Sequence, residues 1–232
     1  MNEQMPPNVF DRPDLRGRVR VFCDRNHAGQ ILAGMLPGDA VPDALVLGIP
    51  AGGVPVAAAI AGARGLALDV AVVSKITLPW DTEAGYGAVA FDGTVNLNEA
   101  MLIRTGLTRT EIDAGIAATR AKVRRRTRDL RKGRGPLDIS GRRVVLVDDG
   151  LASGITMRVA VAAVTRLAVS EIIVCVPTGH ADAVRALAAE VGTLYCANIR
   201  SGIRFAVASA YRHWTDVDEK EVLSHLKSGS SR

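Results

Sequence analysis

The sequence predicts an α/β fold with a mainly parallel central sheet and helices on both faces. Three observations predict it. Strand-length apolar runs such as 44–49 and 144–147 lack the polar alternation of a half-exposed sheet, so both of their faces must be covered. Stretches of helical period separate these runs, the pattern of parallel strands joined by crossovers. Apolar residues make up 48% of the chain but aromatics only 4%, with 23 glycines, so the core must rest on Ala, Val, Leu and Ile packed in close layers. A length of 232 residues suits one domain.

Taken in order, residues 1–17 carry Pro6, Pro7 and Pro13 among charges and are expected to form a flexible lead-in to a domain spanning 18–227. Residues 44–49 read as a buried strand, broken at Pro50, and 54–64 as a helix. A second strand is expected over 69–74, then a Gly-rich long loop or hairpin over 78–94. Apolar or small residues at Ile112, Ile116, Thr119, Val123 and Leu130 give 110–132 a helical period. A turn over 138–143 leads into the strand 144–147, followed by a helix over 154–167, a strand over 171–176, a helix over 180–191 and a short strand near Leu194. Residues 228–232 are expected to be a disordered tail. No internal repeat or low-complexity segment is visible.

The formal charge of +5 suits an anionic ligand, though it also suits nucleic acid. The Arg/Lys-rich stretch 120–134 is the place to look for nucleic-acid binding. It has no interleaved aromatic platform, so a solvated helix face is the preferred reading. Cys23, Cys175 and Cys196 have neither a CxxC pair nor metal-ligand spacing, and are expected to be reduced thiols of a cytoplasmic protein, with Cys175 in the core. The polar start of the chain reads as lacking a signal peptide, and no apolar run is long enough to span a membrane. His27, His180, His213 and His225 are dispersed, with no metal spacing and no Ser/His/Asp nucleophile set.

The most informative run is VVLVDDGLASGIT, residues 144–156. Four apolar residues form a buried strand, and Asp148 and Asp149 stand at its C-terminal end, where open α/β sheets bind ligands. A short loop of small residues and hydroxyls then runs into a helix. Such a loop turns several backbone amides toward one point, and the helix N-terminus adds partial positive charge, which suits a phosphate. Gly150 and Gly154 permit conformations or approaches that a Cβ would hinder, and Ser153 and Thr156 offer hydroxyl donors. Two carboxylates beside a phosphate site need another partner: ribose hydroxyls, or Mg²⁺ held directly or through water. A strand–loop–helix with acids at the sheet edge by accident is the plain alternative.

This run resembles the 5-phosphoribosyl-1-pyrophosphate (PRPP) motif of type I phosphoribosyltransferases. Residues 47–56, LGIPAGGVPV, resemble the pyrophosphate loop of that family, with Ala51 where many members carry a basic residue. Residues 74–88, Asp24 and Arg25, and residues 204–211 resemble a bacterial and archaeal branch of it, so the likeness covers roughly 22–222. The resemblance implies a Rossmann-like fold with a small hood from the N-terminal and 195–216 segments. It implies that Gly150, Leu151, Ala152, Ser153, Gly154, Ile155 and Thr156 hold the 5-phosphate. Ala51, Gly52, Gly53 and Lys75 would face pyrophosphate, and Asp148 and Asp149 the ribose and Mg²⁺. Asp148, Asp149 and Lys75 are the catalytic candidates, with Glu83 and Tyr86 as loop candidates whose plain readings are a surface acid and core packing.

The implied reaction is transfer of the phosphoribosyl group to a nitrogenous acceptor, a nucleobase in many members, with pyrophosphate released. Two rivals are a non-catalytic PRPP or nucleotide sensor and an enzyme acting on another phosphorylated ribose. Arg25 would contact a phosphate or a partner subunit, His180 the site, and Phe205 and Trp214 a base. The fold often pairs, so a homodimer is the corresponding expectation; nucleic acid and membrane are not expected partners.

Overall fold

The computed structural model describes residues 4–38, 43–132 and 134–229, except the side chains of residues 82, 83, 228 and 229. A six-stranded parallel sheet runs through its centre. The strands are β1 (Val9–Phe10), β2 (Leu45–Gly48), β3 (Ala67–Val70), β7 (Arg143–Val147), β8 (Glu171–His180) and β9 (Thr193–Arg200), in the order β1-β9-β8-β7-β2-β3. A small antiparallel sheet, β4 (Val73–Leu78), β5 (Asp81–Ala90) and β6 (Val95–Leu97), stands beside it.

Unalternated strands in β2 and β7 need cover on both sides, and they have it. Val46, Val145 and Val147 face a core built with α1 (Arg25–Met35), α2 (Gly53–Arg64) and α7 (Glu219–Gly229). Leu45, Leu47, Val144 and Leu146 face the opposite core, built with α5 (Ile155–Thr165) and α6 (Ala181–Ala188). Successive Cβ atoms point to opposite faces, so one apolar run supplies both cores. Cys175 and Cys196 are buried in these cores and Cys23 is an exposed free thiol. No helix among the described residues is long and apolar enough to cross a membrane.

The expected single strand over 69–74 is divided. β3 ends at Val70 in the main sheet, and β4 begins at Val73 in the small one. The apolar run through this point conceals the break, because both strands are buried. The Gly-rich stretch 78–94 folds as a hairpin arm, not an open loop: β5 pairs with β4 from Val73↔Ala90 to Leu78↔Asp81, with irregular register near the tip. α4 (Arg109–Arg131) packs on this sheet after the short α3 (Glu99–Thr105). Thr108 and Glu111 start α4 with a reciprocal capping box.

The 1–17 segment carries no strand-like pattern, yet Val9 and Phe10 extend the main sheet against Leu194 and Tyr195. The Asn8 side chain donates to the carbonyls of Ala188 and Val191 at 2.8 and 2.9 Å. Much of the expected tail, 230–232, lies outside the described residues.

The charged face of α4 is only partly solvated. Arg131, at the helix end, makes Nε and Nη2 bonds of 3.1–3.2 Å to the Asp69 carboxylate on β3, and both side chains are 9% exposed. Removing Arg131 leaves the buried Asp69 charge to the more exposed Arg134, whose Nη1 lies 3.5 Å from Oδ2, and such a broken pair is costly. Arg131→Met should therefore cost about 3 kcal/mol in chemical denaturation. Asp69→Leu combined with Arg131→Met should recover most of that loss; a double variant as unstable as the single one would contradict this role.

Candidate functional site

Chain order places the site. From β2 the chain moves outward to β3, whereas β7 lies on the other side of β2. The loops leaving β2 and β7 therefore diverge at neighbouring strand ends, where open α/β sheets form a crevice. Gly48 and Val147 are in register, and the Ile49 amide donates to the Val147 carbonyl at 2.8 Å. The two loops thus start from a fixed common point.

The β2 loop is a tight turn that includes a cis Pro50–Ala51 peptide. Its glycines are demanded by the β7 loop. A Cβ on Gly52 would collide with Asp149 Oδ2, and one on Gly53 would lie 2.7 Å from the Val147 carbonyl oxygen. The backbone of this turn consequently lies directly against the two aspartates.

Residues 150–154 continue from the aspartates and are held by the end of β8. The Leu151 amide donates to the Thr178 carbonyl and the His180 amide to the Leu151 carbonyl, both at 2.8 Å. Gly154 has φ of +75° and opens α5, which has no side-chain cap. First-turn amides of a helix lack intrahelical acceptors, so this end is suited to an anion. Ala152 and Ser153 are exposed, Ile155 and Thr156 half-buried, and Leu151 buried as the anchor. Val207, in a 3-10 turn at Val207–Ala210, lies so close to Gly150 that a Cβ there would collide with it.

Asp148 and Asp149 occupy a crowded cleft and keep some contact with solvent. Displacement of water by the surrounding protein pushes the Asp148 carboxyl well above its ordinary range, and the charge of Asp149 adds to this. Burial also raises Asp149, opposed by Arg25. Asp148 Oδ1 accepts the Asp149 amide at 2.8 Å. Tyr211 donates its hydroxyl to the Asp149 carbonyl at 2.6 Å, and burial raises the phenol strongly, keeping it a donor.

Arg25 is the residue whose place the sequence did not reveal. Its Nε donates to Asp149 Oδ2 at 2.9 Å and its Nη1 to the Thr215 carbonyl at 2.8 Å. Its guanidinium carbon lies 3.9 Å from the Trp214 ring centroid. A partner 124 positions away leaves no local pattern to read. The segments flanking Arg25 and Trp214 run together, with Phe22 bridged to Tyr211. Residues 195–200, assigned to a hood in the sequence, instead belong to β9 of the main sheet.

Other candidates separate. Lys75 is exposed on β4, four residues after Ala71, whose amide donates to the Gly48 carbonyl at 3.0 Å. Tyr86 is 1% exposed, with its hydroxyl against Gly115 of α4; in this arrangement it is a core residue and cannot close over a ligand. Glu83 lies in β5, but its side chain is outside the described residues. His180 holds the 150–154 loop through its backbone amide, while its side chain caps α6 and meets Phe205 edge-on at 5.6 Å.

No group of three or more His, Cys, Asp or Glu among the described residues forms a metal cage. Two adjacent carboxylates, one already paired with Arg25, are too few for a metal cage but are hard oxygen donors that would suit a hydrated Mg²⁺.

Because burial raises the Asp148 carboxyl, its charge opposes folding once pH exceeds the ordinary carboxylate range. Asp148→Asn should melt above wild type at neutral pH. The gap should close as pH falls to where folded and unfolded carboxyls are both protonated. Equal melting temperatures from acid to neutral pH would refute the crowding of this group.

Comparison with known proteins identifies the family of the chain. The family described as phosphoribosyl transferase domain matches residues 38–209. Two provisionally named phosphoribosyl transferases from strains of Mycobacterium tuberculosis are each 34% identical over 211 residues, covering 90% of this chain and 47% of theirs. This chain spans about half the length of those relatives. The crystal structure of TT1426 from Thermus thermophilus has a TM-score of 0.72 at 32% identity, covering 88% of this chain and 97% of that one. The chain belongs to the phosphoribosyl transferase family.

Proposed function

We propose that this protein transfers the phosphoribosyl group of PRPP to a nitrogenous acceptor of nucleobase type, releasing pyrophosphate. One observation carries the reading: the glycine turn after β2 lies against Asp148 and Asp149, which lead directly into the uncapped start of α5. A diphosphate at the turn, a ribose at the carboxylates and a 5-phosphate at residues 150–156 follow the order of groups along PRPP.

In the reaction the C1–O bond to pyrophosphate breaks, a C1–N bond forms, and the acceptor loses a proton. No protein nucleophile is required. Asp148 and Asp149 accept hydrogen bonds from the ribose hydroxyls and their charge favours the developing oxocarbenium ion. Bound Mg²⁺ would neutralise charge on the departing diphosphate, with Asp148 and Asp149 as its protein-side ligands, directly or through water. Residues 150–156 anchor the 5-phosphate and fix C1 in place, so much of the rate comes from positioning. Lys75 and Glu83 remain proposed contacts on the β4–β5 arm.

A non-catalytic PRPP sensor is the second reading, favoured by the absence of a cation within residues 50–53 and by the Arg25 pairing of Asp149. The two separate by product: a sensor binds PRPP and releases no pyrophosphate with any base.

Calorimetric titration should show saturable PRPP binding that strengthens with Mg²⁺. The Asp148→Asn/Asp149→Asn variant should lose about tenfold or more in affinity, as expected when charged hydrogen-bond partners are removed. Absence of binding in wild type would sink the proposal; binding should be followed by a screen of bases for pyrophosphate release.

A further inference from the structure

The turn at residues 50–53 offers a diphosphate only backbone amides, since Pro50, Ala51, Gly52 and Gly53 carry no charge. A diphosphate carries several negative charges, and a guanidinium meets it with stronger, charge-assisted hydrogen bonds than neutral amides can. The guanidinium that abuts this turn comes from another element, α4. Arg126 Nη1 lies 3.5 Å from the Pro50 carbonyl, at the limit of a hydrogen bond.

Arg126 is set apart from its basic neighbours by helical geometry. Thr119, Val123 and Leu130 mark the buried stripe of α4, and position 126 falls on it, seven residues after 119 and four before 130. Arg124, Arg125 and Arg128 are exposed on the other side. The Arg126 side chain is 21% exposed and its Nε is buried without a hydrogen-bond partner. Its nearest carboxylate, Glu219 at the start of α7, lies 3.5 Å from that Nε and is itself 59% exposed. Burial disfavours the Arg126 charge more than Glu219 restores it. A fixed cation with a weak counterion and an unmet donor, set against a glycine turn, is poised to receive an anion.

We propose that Arg126 is a diphosphate-binding residue of this site, supplying from α4 the cation that the turn at 50–53 lacks. The assignment rests on the PRPP reading and locates its leaving-group end. On binding, Nη1 exchanges its long contact with the Pro50 carbonyl for a phosphate oxygen, and Nε donates to the same group. A planar guanidinium can meet two oxygens at once, which an ammonium cannot.

Inorganic pyrophosphate and ribose 5-phosphate, titrated separately by calorimetry in the presence of Mg²⁺, test the proposal on the whole protein. Arg126→Gln should weaken pyrophosphate binding about tenfold or more and leave ribose 5-phosphate within about twofold, the scale of a lost charged hydrogen bond. Arg126→Lys should restore part of the loss, and Glu219→Gln should leave pyrophosphate binding unchanged or tighter. Unaltered pyrophosphate binding in Arg126→Gln overturns the assignment. So does equal loss of both ligands, which would mark Arg126 as a support for the turn. Wild-type protein that takes neither ligand overturns the PRPP reading itself, and this assignment with it.

Discussion

Two neighbouring carboxylates crowded into the cleft at the end of β7 are the constraint around which this end of the molecule is arranged. Their charge is costly where protein atoms replace water. The surroundings answer in three ways. Glycines at 52 and 53 let backbone approach with no side chain intervening. The Asp149 amide and the Arg25 guanidinium donate to the acids. The Tyr211 hydroxyl ties the Asp149 carbonyl to the covering segment. A sugar hydroxyl or a hydrated cation is a further donor of the same kind, so the ligand-binding reading and the electrostatic problem have one solution.

The β7–loop–α5 unit was legible because its signals are local: an unalternated apolar run, two acids, small residues, then a helical period. The sheet class was legible for the same reason. The division of 69–74 was not, since Val70 to Val73 is continuously apolar and buried on both sides of the break. Tyr86 lies in a Gly-rich arm that reads as either a long loop or a hairpin, and Gly115 on α4, which makes room for its hydroxyl, decides for the core. Val9 and Phe10 form a strand too short to leave a pattern. Arg25–Asp149 and Arg131–Asp69 join residues 124 and 62 positions apart, and pairing at such separations is invisible to periodicity.

The basic stretch in α4 shows why a charge run should be divided residue by residue. Arg131 serves the fold through Asp69, Arg124 and Arg128 face solvent, and Arg126 is turned toward the β2 loop. Composition gives these residues one description; the 3.6-residue turn gives them three environments.

The covering segment has a consequence for the order in which the molecule is made. Arg25 and Thr215 meet across 190 positions, whereas β7 and the 150–154 loop are neighbours in sequence. A ribosome releases the aspartates some sixty-five residues before Trp214 and Thr215 emerge (Asp149 to Trp214 is 65 positions). Until then Arg25 lacks both the Trp214 ring and the Thr215 carbonyl that hold its guanidinium. A growing chain thus carries the 150–154 loop early and the segment that meets Arg25 late, and the surroundings of the carboxylates are complete only when that contact closes.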